Sequence, residues 1–140
     1  MRKHYSSALA LLAMLVLATG SEDTNRERGS SPPTQTRKWY EGGTLHNKSA
    51  LEWQLASTDN KLASCADFTA RIWKTGSFKP SIATQISTVD DLRPYAQELV
   101  EFLDAAFQPD PDPAENRKIF ANQKVSESAA AGMILLGWNE

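Results

Sequence analysis

The sequence has few of the side chains from which metal and nucleophile sites are usually built. Its 140 residues include one cysteine, Cys65, and two histidines. A lone cysteine excludes a disulfide within the chain. A zinc site would have to take most of its ligands from carboxylates, which is unusual. We therefore expect neither a metal ion nor a cofactor.

The motifs of the common nucleotide-dependent enzymes and esterases are also absent. The patterns G-x-x-x-x-G-K, G-x-G-x-x-G and G-x-S-x-G do not occur, so the usual phosphate loops and the usual serine elbow are missing. Asp110 and Asp112 alternate with prolines, but the spaced ligands and central glycine of a helix-loop-helix calcium site are lacking. We expect a protein that is not an enzyme and has no catalytic residue.

Long apolar runs are missing except near the amino terminus. Ala8–Ala18 is unbroken and apolar, and it follows a basic head that contains Arg2 and Lys3. A membrane span needs roughly 20 apolar residues, so this run is too short for a stable anchor. Small residues precede Gly20, as they do at the cleavage site of a signal peptide. We predict a signal peptide over residues 1–20 and a periplasmic or secreted protein.

After such cleavage the chain would be acidic and would begin with a flexible leader. Without residues 1–20 it has 13 basic and 17 acidic side chains. An acidic balance with scattered lysines argues against nucleic-acid binding, which favours a clustered basic face. Residues 21–38 contain many charges and no large apolar side chain, so they cannot bury enough surface to fold. We predict a disordered leader over 21–38 and a helical domain over 39–140.

Helix signals follow the paired glycines Gly42 and Gly43. Ser49–Glu52 matches a capping box, and apolar or small residues then recur in steps of three and four. The polar run over 57–60 interrupts this pattern with residues that prefer helix caps. Two helices, at about 49–56 and 58–74, are favoured over one long helix.

Three more helices are predicted in the second half of the chain. Thr88 is the expected cap of the first, whose apolar face runs from Leu92 to Phe107, and Pro94 inside this pattern indicates that the helix proper starts near it. A proline-rich turn ends this helix, and Asp112 caps a short helix after it. Ser126 is the expected cap of the last helix, which has small residues on one side and large residues on the other. The predicted ranges of the last two are 114–122 and 127–136. The fold class is therefore all-α, a single small domain of four to five helices.

Three polar side chains are candidates for a functional site. His46 lies in the loop before a helix start, where it could act as a general base or a metal ligand. A hydrogen bond from the imidazole to the cap of the next helix is the favoured interpretation. Cys65 lies at an apolar helical position near only one cation, so a buried inert thiol is favoured over a Cys65–His46 dyad. Asp67 lies beside the apolar face, and a buried Asp67 would need a partner such as Arg71.

The tryptophans are the main candidates for an aromatic binding surface. Trp53 lies two positions after Leu51, on another side of the helix from the apolar face. It is expected to dock under the amino-terminal loop with Trp39 and Tyr40, and an exposed Trp53 would instead mark a partner site. A second possibility is a ligand pocket near His46, lined by Trp39, Trp53 and Trp73.

Part of the sequence resembles a set of short exported bacterial proteins of unknown function. The resemblance rests on Gly43-Thr44-Leu45-His46, on Trp53, on Asn60-Lys61-Leu62-Ala63-Ser64 and on Ala66-Asp67, with a weaker echo in Val125 to Trp138. It covers about 30 residues, within 43–73. It implies a bacterial, periplasmic location and a structural centre in this stretch, and it implies no catalytic residue.

Two functions of different classes are consistent with these observations. The first is a small periplasmic helical module that binds another periplasmic protein, of an inhibitor, immunity or stress-related type. The alternative is a small-ligand-binding periplasmic protein with an aromatic pocket near His46. An enzyme that uses Cys65 or His46 is the least favoured hypothesis. The residues expected to bind are His46, Trp53, Asp67 and Trp73.

Overall fold

The computed structural model describes residues Thr36–Asn139, which are helical and contain no strand apart from one isolated bridge. The predicted signal peptide and nearly all of the predicted leader lie outside these residues. The described helices are α1 (Ala50–Leu55), α2 (Thr58–Lys74), α3 (Pro80–Ala83), a 3-10 turn (Val89–Leu92), α4 (Arg93–Ala106), α5 (Pro113–Phe120) and α6 (Val125–Leu135). The all-helical class is confirmed. The number of helices exceeds the predicted four to five because α3 forms in a segment predicted to be a connection.

The boundary between α1 and α2 follows the predicted caps. The Ser49 hydroxyl accepts from the backbone N–H of Glu52, and the Glu52 carboxylate accepts from the backbone N–H of Ser49. α1 ends because Ala56 and Ser57 are extended, and the Ser57 side chain then accepts from the backbone N–H of Asn60. The prediction of two helices is confirmed.

The capping carboxylate of α1 makes part of the stability dependent on pH. Hydrogen bonds from the Ser49 backbone, together with the Lys48 ammonium 2.9 Å away, lower the pKa of Glu52 from 4.5 to about 2. A lowered folded pKa stabilises the fold above the unfolded pKa, and this contribution is lost as the pH falls toward the folded pKa. The stability that Glu52 contributes is therefore lost between pH 4.5 and about pH 2. Hydrogen bonds from the backbone of Ser87 and Thr88 likewise lower the pKa of Asp91.

We expect Glu52→Gln to reduce the loss of stability on acidification. The variant lacks the titrating group, so its free energy of unfolding should fall less than that of the wild type between about pH 5 and about pH 2.5. Urea unfolding at both pH values measures the difference. Glu98→Gln is the control, because the exposed Glu98 side chain on α4 forms no ion pair or hydrogen bond within the described residues. If acidification lowers the free energy of unfolding equally in Glu52→Gln and the wild type, Glu52 is not a source of the pH dependence.

The start of α6 differs from the prediction, whereas α4 begins beside Pro94 as expected. Thr88 caps the 3-10 turn, and α4 follows it directly with Pro94 in its first turn. α6 begins at Val125 with Lys124 at the cap position, so the predicted cap Ser126 lies inside the helix. An antiparallel bridge between Ser49 and Lys124 explains this, because it holds Lys124 extended immediately before the helix. Two backbone hydrogen bonds close the bridge: Ala50 donates to the carbonyl of Gln123, and Val125 donates to that of Lys48.

The core lies where α2, α4 and α6 pack together. α2 packs against α4, and α4 packs against α6. Gly132 permits the second contact, since a Cβ at this position would lie 2.7 Å from the Phe102 ring. α1 packs against α5, where the Gln54 and Asn116 amides hydrogen-bond to each other. The buried side chains of the three central helices include Cys65, Ile72, Leu99, Leu103, Val125, Ala129 and Met133.

Candidate functional site

The loop that contains His46 lies directly along α2. A Cβ at Gly43 would lie 2.6 Å from the backbone nitrogen of Ser64, so only glycine allows this approach. The backbone N–H of Thr44 donates to Asn60 Oδ1 at 2.9 Å, and that of Leu45 donates to Ser64 Oγ at 3.1 Å. The helical positions 60, 64 and 67 are spaced by four and three, so they lie on one side of α2. This side forms a polar stripe that positions the loop.

His46 meets the end of this polar stripe at Asp67. Its Nε2 atom lies 2.9 Å from Asp67 Oδ2, and the side chains are about one third and one half exposed. The Nε2 atom is buried, and the contact lacks hydrogen-bond angles although the distance is short. The imidazole also packs edge-to-face with the Phe68 ring, with centroids 5.2 Å apart. We interpret the pair as an electrostatic contact that holds the loop, not as an oriented catalytic pair.

In this region the structure changes the prediction for Asp67 and confirms the burial predicted for Cys65. Asp67 is half-exposed and its partner is His46, so the pairing with Arg71 suggested for a buried Asp67 does not form. Cys65 is fully buried, and burial raises the pKa of its thiol far above the ordinary value, with a smaller contribution from the Asp104 carboxylate. Such a thiol is not prepared for nucleophilic attack. Within the described residues, no hydrogen bond joins it to His46.

Trp53 is buried, but not in the place predicted from the sequence. Its Nε1 donates to Asp104 Oδ1 at 2.9 Å, and its ring meets the Phe107 ring edge-on. The Lys61 ammonium lies 5.4 Å from the centroid of the indole and 2.7 Å from the same carboxylate oxygen. The predicted docking with Trp39 and Tyr40 is therefore wrong. Trp53 instead joins α1 to α2 and α4.

The other candidate tryptophans have different neighbours. Trp39 donates from Nε1 to Asp90 Oδ1 at 2.8 Å, beside the start of α4. Trp73 is half-buried against the core on α2. A cleft lies beside Trp39, and Trp53, Trp73 and His46 are not among the residues that line it. Of the four predicted binding residues, the structure brings together His46 and Asp67 and places Trp53 and Trp73 in separate packing environments.

The outer face of α6 is an exposed apolar surface that the sequence analysis missed. Its exposed positions follow the spacing of one helical side, and four of these five residues are apolar. Ile134 is 64% exposed and Leu135 is 74% exposed. The sequence already indicated an exposed apolar face, because nearly every residue from Val125 to Leu136 is small or apolar and packing covers only one side of a helix. The sequence analysis divided this helix into a small side and a large side and so did not identify an exposed face. The exposed residues are Glu127, Ala130, Ala131, Ile134 and Leu135.

Two further structural findings apply to the described part of the chain. Between Thr36 and Asn139, no group of three or more histidine, cysteine, aspartate or glutamate side chains is arranged to hold a metal ion. No helix in this range is both long enough and apolar enough to cross a membrane.

Comparisons of the chain with protein-family models, with curated proteins and with solved structures found no match.

Proposed function

We propose that the protein is a small exported helical module that binds another protein through the outer face of α6. The observation that supports this most is the exposure of Ile134 and Leu135 on a helix with few polar side chains on any side. Exposed apolar surface of this kind is costly in water and is typical of interaction sites. An inhibitor, an immunity-type partner or a stress-related helper are the classes that fit a small, acidic, exported chain.

The shape of this face indicates the kind of partner. Ala130 and Ala131 have small side chains, so an apolar surface can approach the α6 backbone closely, while Ile134 and Leu135 project one turn further along. This arrangement suits a hydrophobic groove that receives one side of a helix. Glu127 continues the face at its amino-terminal end, so we expect a basic side chain at the matching rim of the groove.

A different protein is the expected occupant, not a second copy of this chain. Specific protein–protein interfaces bury about 800 Å² on each partner, and those of obligate dimers are larger. Four exposed side chains, two of them alanines, supply only a fraction of that area when packed against the same convex face of a second copy. A groove can surround the helix and bury more of each side chain.

We expect the double variant Ile134→Lys, Leu135→Lys to lose the partner. Full burial of each side chain contributes about 1.5–3 kcal/mol, so affinity should fall by about 100-fold or more. The measurement is affinity capture by the tagged full-length chain in its native host, followed by titration of the captured protein. Leu55→Lys is the matched control, because Leu55 is 88% exposed on α1.

Two outcomes would contradict this proposal. One is a partner bound equally by the wild type and the α6 double variant. The other is a wild-type chain that light scattering shows to be dimeric while the double variant is monomeric, because the occupant would then be a second copy.

The alternative function, binding of a small ligand, is supported by one separate feature. A cleft of about 620 Å³ lies beside Trp39, between the amino-terminal loop and the starts of α2 and α4. Volumes of this order are usual for ligand sites.

A further inference from the structure

The cleft beside Trp39 is assembled from three parts of the fold. Its walls come from the segment that begins at Arg37, from the first turns of α2 including Asp59, and from Arg93 at the start of α4. Its volume of about 620 Å³ is sufficient for a ligand of amino-acid to small-peptide size. The cleft shares no residue with the outer face of α6, so a ligand could bind here whether or not α6 binds a partner.

The indole of Trp39 is held in a defined position at this cleft. Its Nε1 donates to Asp90 Oδ1 at 2.8 Å, and the Arg93 guanidinium carbon lies 5.7 Å from the ring centroid. The Tyr40 ring meets it edge-on at 5.4 Å. Because these contacts already orient the ring, little side-chain freedom would be lost when a ligand packs against it. Trp39 and the half-buried Leu62 form the apolar part of the lining.

Two exposed arginine side chains line the cleft. Within the described residues, the guanidinium groups of Arg37 and Arg93 form no ion pair and donate no hydrogen bond. The Arg37 guanidinium lies against Gly42, where a Cβ would be 3.0 Å from Nη1. Each guanidinium has five N–H donors in a planar arrangement that matches a carboxylate. Two such groups at one cleft favour an anionic ligand.

The balance of charge limits how much negative charge that ligand should have. Among the lining side chains, the cations Arg37, Lys38 and Arg93 face the carboxylates Glu41 and Asp59, and the Asp90 carboxylate lies beside them, accepting from the Trp39 indole N–H. The adjacent Tyr40 raises the pKa of Lys38, so this side chain remains charged. A single carboxylate can pair with the guanidinium groups, whereas a polyphosphate would be repelled by these three carboxylates. The lining therefore favours a monocarboxylate.

We propose that this cleft binds a small monocarboxylate with a flat apolar body. The guanidinium groups of Arg37 and Arg93 hold the carboxylate, and the apolar body packs against Trp39 and Leu62. Both a free aromatic acid and the carboxyl terminus of a short peptide have this chemistry.

A matched pair of probes tests the proposal on the full chain. N-acetyltryptophan has the carboxylate and the ring, and N-acetyltryptophanamide has the same ring without the charge. We expect calorimetry to detect binding of the acid and binding at least about tenfold weaker for the amide, because hydrogen bonds to charged groups contribute a factor of this order. In NMR spectra, the Trp39 indole N–H signal should shift with the acid.

Variants locate the site and separate binding from folding. Arg37→Gln and Arg93→Gln should each weaken binding of N-acetyltryptophan about tenfold. Arg71→Gln is the control, because Arg71 is exposed on α2 and does not line the cleft. Within the described residues, the cation over the Trp39 ring is Arg93 and not Arg37, so the Arg37 variant tests the charge even if Arg93→Gln moves the indole. Circular dichroism melting verifies that each variant is folded.

Several results would overturn the proposal. The first is equal binding of N-acetyltryptophan and its amide. The second is no binding of the acid at roughly 10 mM, a concentration at which a useful site would be occupied. The third is equal affinity of the Arg37→Gln and Arg71→Gln variants for the acid. Acetate is a further probe: if it binds as tightly as N-acetyltryptophan, the apolar wall contributes nothing and that part of the proposal is wrong. Tighter binding of a tryptophan-terminated tripeptide than of N-acetyltryptophan would identify a peptide terminus as the source.

Discussion

Gly43→Ala is expected to destabilise the fold by about 3 kcal/mol, since overpacking costs about 1–3 kcal/mol and each lost hydrogen bond about 1 kcal/mol. The new Cβ would lie 2.6 Å from the backbone nitrogen of Ser64 and 2.7 Å from the carbonyl carbon of Ala63. Both are backbone atoms inside α2, so they cannot move aside as a flexible side chain would. The loop must lift, which breaks its hydrogen bonds to Asn60 and Ser64. Urea unfolding measures the change.

Gly76→Ala is the control for this effect. Gly76 has a positive φ of 66°, but nothing lies within 4 Å of a Cβ built on it. Its substitution should therefore cost only the backbone strain of about 1–2 kcal/mol. If Gly43→Ala is no more destabilising than Gly76→Ala, the loop does not depend on the close approach to α2. Amide exchange at Leu45 should also accelerate in Gly43→Ala and remain unchanged in Gly76→Ala.

Trp53→Ala is expected to have the largest effect of any single truncation, about 3–5 kcal/mol. The side chain is fully buried and fills the space beside Phe107. Its removal leaves a cavity, takes away the hydrogen bond to Asp104 and uncovers the Lys61 ammonium that lies over the ring. A domain of this size is stable by only about 5–15 kcal/mol in total. The midpoint of thermal or urea unfolding should therefore shift strongly.

Two comparisons separate the contributions of Trp53. Trp53→Phe keeps an aromatic ring but lacks the N–H donor, so it should cost less than the alanine variant and more than about 1 kcal/mol. Trp73→Ala removes a tryptophan that is only half-buried on α2, and its cost should be clearly smaller than that of Trp53→Ala. Equal costs for the two alanine variants would show that Trp53 is not the joint between α1, α2 and α4.

The parts of the fold that sequence analysis predicted correctly depend on neighbours in the chain. The capping box over Ser49–Glu52 and the cap at Ser57 each act within three residues, so their sequence predicts where α1 and α2 begin. The same holds for Asp112, whose side chain accepts from the backbone N–H groups of Ala114 and Glu115 at the start of α5. The segment that contains α3 has no side-chain cap, and a helix of four residues has almost no periodicity to detect.

The candidate site depended on contacts between distant residues, and the sequence could identify its members but not their partners. His46 and Asp67 are 21 positions apart, and the Trp53 indole and Asp104 are 51 positions apart. Local spacing suggested nearer partners, Arg71 for Asp67 and the amino-terminal loop for Trp53. Those pairings do not form because the packing of the loop and of α1 on α2 and α4 selects the partner.

By itself, the sequence determined the helical class, the division between α1 and α2, and the small number of side chains that could bind a metal or act as a nucleophile. Caps, periodicity and composition are local or additive properties, so they can be read along the chain. Only the tertiary structure decided where α6 begins and which of its two apolar sides faces outward. The bridge from Ser49 to Lys124 and the packing of α4 against Gly132 bury one side and leave Ile134 and Leu135 exposed. A helix that is apolar all round contains no internal information about which side its neighbours will cover.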